Sequence, residues 1–293
     1  MAVLFQRPSG RERNRKGRIC KVSVHYNGVT YRTADAHAHI YPGKIAEKAT
    51  DSVGDFYHIP MQNVGLPHVL AQRGGEAGID RFLVCSVATK VEQVRSINQF
   101  IQEKCQKYPQ FIGLGAWHQD ITDIEGEMDD IQRRGLRGIK LHPDFQRFLI
   151  DDERMLPVYR EANRRGLPIL FHTGDSRTDF STPRRLMNVL EKIPDFTCIA
   201  AHLGGYSEWE DARRELSGTN VYIDTSSSLF AVTPEQARKS IDHFGVDHTM
   251  FGTDFPMWSP REELQRFFNL GYREEDNRKM LYENFARLFH LTD

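Results

Sequence analysis

Ala34-Asp35-Ala36-His37-Ala38-His39 decides how the rest of this 293-residue chain is read. On an extended strand, side chains alternate with period two, so His37 and His39 point to the same side of the backbone. Val22, Val24 and Tyr26 form a β-prone run before them, and Tyr41-Pro42-Gly43 breaks the chain just after. A strand is therefore expected whose carboxyl end offers two imidazole nitrogens. Imidazole is the commonest protein ligand for zinc and similar ions. A His-x-His pair alone also fits two partly exposed histidines at a strand end. What recurs further along the chain chooses between these readings.

From Ala34 onward one pattern repeats: a short apolar run, a polar or glycine stop, a helix-like segment, another apolar run. The runs are Ala34–His39, Arg81–Val87, Phe111–Trp117, Gly138–Leu141, Pro168–His172, Thr197–His202, Val221–Asp224 and Thr249–Asp254. Continuous apolar strands suit a parallel sheet covered on both sides, and strands alternating with helices imply right-handed crossovers. Eight in succession predict a closed (β/α)8 TIM barrel. The intervening segments carry helix signals. Arg154–Arg165 sets Leu156, Tyr159 and Ala162 on one face before Gly166; Thr233-Pro234-Glu235-Gln236 is an N-cap, an N1 proline and a capping-box glutamine. Ser259-Pro260 opens another helix that Gly271 closes, and Arg278–Phe289 reads as a terminal helix with Leu281, Phe285, Leu288 and Phe289 inward. The long first connection, Pro42 to Asp80, is expected to be part helix and part active-site loop.

Ahead of the barrel, Ile19–Tyr31 reads as a hairpin about Asn27-Gly28. Residues 1–20 form a basic arm with Arg7, Arg11, Arg13, Arg15, Lys16 and Arg18 against Glu12 alone. Such an arm is more often a solvated leader than a nucleic-acid contact. No linker or charge step divides the remainder, so residues 21–293 are expected to form one domain. The formal net charge of −1 gives the chain no bias toward nucleic acid or a membrane surface. Cys20, Cys85, Cys105 and Cys198 form no CxxC pair and suit free thiols in a reducing compartment. No apolar run has transmembrane length and the N-terminus has no secretory apolar core, so the cytoplasm is the expected location.

In a barrel of this kind the active site lies at the carboxyl ends of the strands. Strand one ends in His37 and His39, strand four carries Lys140 and His142, strand five ends in His172, strand six in His202 and strand eight in Asp254. Singly, each has a structural explanation: a satisfied core histidine, or an aspartate capping a loop. Together on one rim they predict a metal centre. Histidine nitrogens with one carboxylate fit zinc and leave a position open for water; manganese, iron and cobalt are also accommodated. Arg147 and Arg177 follow strands four and five and could clamp a substrate carboxylate. Phe56, Tyr57, His58 and Trp258 could wall a pocket.

The order His37-x-His39, His172, His202, Asp254 resembles the amidohydrolase superfamily. Gly138-Ile139-Lys140-Leu141-His142-Pro143, Gly252-Thr253-Asp254-Phe255-Pro256 and Asn284-Phe285-Ala286-Arg287-Leu288-Phe289 are similar to its amidohydrolase-2 branch over roughly residues 33–292. That resemblance implies His37, His39, His172 and Asp254 as metal ligands. It implies His202 as the group that polarises a carbonyl or moves a proton, and Asp254 as the acceptor of a proton from water. It implies one divalent ion; the alternative is two ions bridged by Lys140 carboxylated on its amine. Lys140 and His142 could otherwise meet substrate, or Lys140 could form an ion pair inside the barrel. A homo-oligomer is also implied.

The leading expectation is thus hydrolysis of a small lactone, ester or amide through an activated water. The rival is loss of carbon dioxide from an unsaturated or aromatic acid at the same centre. A barrel that has lost catalysis and serves as a scaffold would lack part of this residue set, and nothing is missing. Partners beyond a small-molecule substrate, nucleic acid and membrane among them, are not expected.

Overall fold

The computed structural model describes residues 22–292, so the predicted arm of residues 1–20 and Cys20 lie outside the described residues. The chain opens on an antiparallel hairpin of β1 (Val24–Tyr26) and β2 (Val29–Tyr31). Its turn is Asn27-Gly28, with φ of 50° and 80°, the left-handed pair that a two-residue turn requires and that asparagine and glycine tolerate best.

Strand β3 (Ala34–His39) begins the barrel. Helices α1 (Ala46–Tyr57) and α2 (Pro67–Glu76) follow, then β4 (Arg81–Cys85), α3 (Val94–Lys107), β5 (Phe111–Gly113) and β6 (Gly115–Ala116). Next come α4 (Ile124–Arg133), β7 (Ile139–Leu141), α5 (Pro143–Gln146), α6 (Leu156–Arg164), β8 (Ile169–Phe171), α7 (Pro183–Lys192) and β9 (Cys198–Ala200). The chain continues through α8 (Trp209–Glu215), β10 (Tyr222–Asp224), α9 (Pro234–Phe244), β11 (Thr249–Met250) and α10 (Pro260–Phe268). It ends on α11 (Glu274–Arg278), a π-helical turn (Lys279–Glu283) and α12 (Asn284–Leu288).

All barrel pairings are parallel. Strands β5 and β6 are one barrel strand bent at Leu114, the first half paired to β4 and the second to β7. From β6 the sheet runs in order through β7, β8, β9, β10 and β11. The seam from β11 back to β3 is made by backbone bonds: Ala36 N donates to Phe251 O at 2.8 Å, His39 N to Phe255 O at 2.6 Å, and Asp254 N to His37 O at 2.9 Å. The structure is a (β/α)8 TIM barrel, and all eight predicted runs supply its strands.

Residues on these strands are buried on both faces because two apolar layers meet there. Leu83, Leu114, Leu170, Ile199 and Met250 pack inside the cylinder, joined by Tyr282 and Phe285 from the C-terminal helices. Val84, Leu141, Ile169, Phe171 and Ile223 face outward against Ile101, Ile131, Tyr159, Val189 and Ile241 of the helices. This two-sided cover is why the strand sequences show no polar alternation.

The helix signals are realised with small shifts. Gln236 N donates to Thr233 Oγ1 at 3.3 Å and Thr233 N to Gln236 Oε1 at 2.9 Å, closing the capping box of α9. The terminal helix starts at Glu274, ahead of the expected Arg278, and carries a π-turn. The cause is tertiary: the Met280 carbonyl accepts from Phe251 N at 2.9 Å, which diverts it from the regular helical ladder.

Glu263 on α10 is buried with 1% of its side chain exposed, pairs with Arg266 through Oε1, and leaves Oε2 without a partner. Burial pushes its carboxyl from 4.5 up to about 7, against the pull of Arg266. A raised carboxyl binds its proton more tightly in the folded state, so stability falls as pH climbs from about 4.5 through 7. We expect up to about 3 kcal/mol of this slope to vanish in Glu263→Gln. Urea unfolding at pH 5 and pH 8 measures it; equal slopes in both proteins would contradict the assignment.

Candidate metal centre

The polar side chains gather at the carboxyl ends of the strands, as the barrel architecture requires. His37 and His39 end β3, Lys140 and His142 lie on and after β7, and His172 and His202 follow β8 and β9. Asp224 ends β10 and Asp254 follows β11. A register shift between Asp35 and Ala38 bends β3 where the two histidines leave it. His202, Ser227 and Asp254 hold φ of 62°, 43° and 55°, a left-handed backbone that non-glycine residues adopt at a cost and that clusters at functional sites.

His37 Nε2, His39 Nε2 and Asp254 Oδ1 face one another. The nitrogens are 3.2 Å apart, and the oxygen is 3.6 Å from His37 Nε2 and 3.4 Å from His39 Nε2. Donors held about 2.0–2.1 Å from one tetrahedral ion are themselves about 3.4 Å apart, so this triangle has the size that a zinc-sized ion requires.

The charges fit a cation as well. His37 Nδ1 donates to Asp224 Oδ2 at 3.0 Å, which turns the bare Nε2 lone pair toward the triad. Burial, then the neighbouring Lys140, hold His37 neutral with its pKa down at about 4. Burial also pulls on His39, but Cys85, 3.6 Å from Nδ1, and the Asp254 carboxylate outweigh it and hold His39 up at about 9. Asp254, despite its burial, is kept well below the usual carboxylate range by His37, His39 and His202. The surroundings that keep a proton on His39 favour a divalent cation in its place. Lys140, 1% exposed, stands beside the triad with Nζ 3.2 Å from His37 Nε2, and burial lowers its pKa despite Asp254 and Asp224.

His172 does not converge on that triangle. Its Nδ1 is 3.0 Å from His202 Nε2 and its Nε2 3.3 Å from the Tyr57 hydroxyl, and it groups with His142 and Asp144. The proton positions follow from the two ends of this chain. Phe145 N donates to His142 Nδ1 at 3.3 Å, so His142 carries its proton on Nε2 and donates to the Tyr57 oxygen at 3.0 Å. At the other end His202 Nδ1 must donate to the Ser226 carbonyl at 3.0 Å, leaving its Nε2 an acceptor. Tyr57 therefore donates to His172 Nε2, and His172 Nδ1 donates to His202 Nε2. Burial lowers the pKa of all three histidines, consistent with neutral rings.

Two expected substrate contacts are placed elsewhere. Arg177 is bidentate on Asp175 at 2.8 and 2.7 Å, donates to Phe56 O at 2.6 Å and covers the Phe56 ring, so it braces the first loop instead of facing substrate. Trp258 lies outside the cavity lining: Phe230 stacks on it at 4.3 Å, and its Nε1 donates to Ser227 Oγ at 3.0 Å. Ser227 in turn donates to Asp254 Oδ2 at 2.5 Å, so the tryptophan orients the aspartate at one remove. Tyr57, Lys140, His142 and Arg147 do line the cavity, as does Phe56; His58 instead caps α1 in a left-handed conformation.

Asp224, Ser226 and Ser227 were not singled out from the sequence as site residues. Asp224 closes the seventh apolar run, and its place at a strand end beside the other polar ends was the available signal. The two serines carried none.

Fold and site together define a TIM barrel with a His-x-His and aspartate triad at its catalytic rim. A sequence profile of the amidohydrolase family matches residues 34–291, and the chain is an enzyme of that family. No curated protein matches the chain. Among solved structures, a 2,6-dihydroxybenzoate decarboxylase with its substrate bound is 18% identical, over 89% of this chain and 100% of that one, at a TM-score of 0.71. A 5-carboxyvanillate decarboxylase of Novosphingobium aromaticivorans with bound manganese is 17% identical over 89% and 96%, at 0.69. A putative 2-pyrone-4,6-dicarboxylic acid hydrolase of Pseudomonas putida is 15% identical over 89% and 98%, at 0.64. These likenesses establish the fold. Among the described residues, no helix is long and apolar enough to cross a membrane.

Because His39 is protonated up to about pH 9, an ion taken up by the triad must displace its proton. Titrating a divalent metal at pH 7, in buffers of different ionisation heat, should show release of about one proton per ion. Apparent affinity should rise with pH and level off above about 9; uptake without release would show that His39 is not a ligand.

Proposed function

We propose that this enzyme is a metal-dependent hydrolase of a small lactone, ester or amide, with one divalent ion held by His37, His39 and Asp254. The observation that carries this is the triangle of three converging donors, of ion-sized edges, at the mouth of the barrel. Three protein ligands with one open position are the arrangement of catalytic zinc sites, and zinc is the first choice, with manganese, iron or cobalt next. When bound, such an ion supplies Lewis acidity and brings the pKa of a water from 15.7 to about 7.

The chain's own groups do the rest. Asp254, oriented by Ser227, accepts a proton from the attacking water and returns it to the leaving group. His202 Nε2 accepts from His172 Nδ1 in the resting site, and it takes up or gives back a proton when a substrate or water group replaces His172 there. Once charged, it stabilises the oxyanion. Lys140 stands beside the triad with Nζ 3.2 Å from His37 Nε2, as an amine next to one ion in this reading. Arg147 lines the cavity with no ion-pair partner among the described residues, which supports a role in meeting a substrate carboxylate.

Decarboxylation of an unsaturated or aromatic acid is the second reading. The solved decarboxylases with this fold support it, as does a cavity wall that includes Phe56, Tyr57 and Phe145 around the site. Incubating the metal-loaded protein with a panel of lactones, amides and aromatic acids separates the two: products that gain one water support hydrolysis, and products that lose carbon dioxide support the lyase.

The ligand assignment has its own test. His39→Ala and Asp254→Ala should lose both bound metal and turnover. His172→Ala and His202→Ala should retain metal and lose turnover by at least about a hundredfold. Metal content by elemental analysis decides, and loss of metal in His172→Ala would make that histidine a ligand.

A further inference from the structure

The cavity that opens from the triad is much larger than the triad needs. It measures about 580 Å³, within the range of roughly 300–1,000 Å³ that holds drug-sized molecules. Its ionisable groups concentrate where His37, His39, Lys140, His202 and Asp254 meet. Beyond them the wall is predominantly apolar, interrupted by Ser52, Thr89, Gln93, Ser96 and Arg147, and much of it is one face of α1.

Ile45, Ala49, Val53 and Phe56 recur at helical spacing and all line the cavity, while the adjoining stripe of α1, Ala46 and Thr50, is buried against the rest of the protein. Val87 and Ile97, the latter near the start of α3, complete the gallery. Ile45, at the start of this face, is 51% exposed. The helix therefore presents a second apolar face, packed by Arg177 and Phe145 only at Phe56, that lines the cavity continuously with the candidate metal centre.

We propose that the substrate carries an extended apolar chain or ring system, attached to the carbonyl or carboxyl group that the triad engages and seated against α1. The inference rests on the functional reading above. It narrows the class from any small ester, amide or acid to one with a hydrocarbon body of several carbons. The gallery offers such a body burial, which gains about fourfold in affinity for each methylene removed from water. A short polar substrate would leave the gallery wet and gain nothing from it.

Straight-chain carboxylates from acetate to octanoate test this on the cobalt-loaded protein, with Kd from calorimetry and the visible cobalt spectrum reporting carboxylate at the metal. Kd should fall about two- to fourfold per methylene beyond butanoate. Ala49→Trp, which fills the gallery, should stop that fall at a shorter chain. Val53→Asp, which keeps the space and adds a charge, should weaken octanoate at least tenfold and leave acetate unmoved. A Kd independent of chain length overturns the inference, and a spectral response to acetate then leaves the metal reading standing. Binding that tightens with length but never perturbs the cobalt spectrum upholds the gallery and overturns the metal reading.

Discussion

The seam that closes the barrel also builds its candidate active site. Strand β3 and the chain beyond β11 exchange backbone bonds at Ala36, His39 and Asp254. A buried carboxylate locks the joint: Asp35 accepts from His37 N at 3.1 Å on its own strand and, across 218 positions of sequence, from Thr253 N at 2.9 Å and Thr253 Oγ1 at 2.5 Å. Burial still pushes Asp35 up to about 7 against those donors. Each bond that joins the first strand to the last fixes the spacing of His37, His39 and Asp254. The cylinder cannot loosen there without opening the triangle.

Around that joint the protein concentrates basic groups where water is scarce. Lys140, His142, His172 and His202 are buried together near His37, and burial lowers the pKa of each. The acids Asp224 and Asp254 stay charged beside them, with pKa values below the ordinary range. Of the proposed ligands, His37 Nε2 and Asp254 already stand free of protons, and His39 gives up its proton to a cation, since ligands must be deprotonated to bind one. Perturbed groups of this density mark a functional site more than a structural network.

Proton positions in the site follow from main-chain groups that cannot change role. One amide donor at Phe145 and one carbonyl acceptor at Ser226 set the tautomers of His142, His172 and His202 through the Tyr57 hydroxyl. Tyr57 comes from α1, the helix whose apolar face lines the cavity. Arg177, bound to Asp175 and to the Phe56 carbonyl, holds the end of that helix in place. The hydrogen-bonded chain of histidines and the wall of the cavity thus share one element.

The fold was legible because it is written locally. Apolar runs such as Ile169-Leu170-Phe171, separated by capped helices, repeat eight times, and two-sided burial leaves that signature in the strands themselves. His-x-His at a strand end and Asp254 after the last strand could be read in the same way, since the architecture dictates which end carries chemistry. What each side chain touches was not legible. Arg177 and Trp258 have the right type and position for substrate contacts, yet Asp175 and Ser227 claim them. His172 sits at a strand end like His39 but turns to His202 and Tyr57. Asp175 lies only two residues from Arg177, but the Phe56 carbonyl, Ser227, His202 and Tyr57 are brought to their partners from distant parts of the chain, and only the closed barrel sets those contacts.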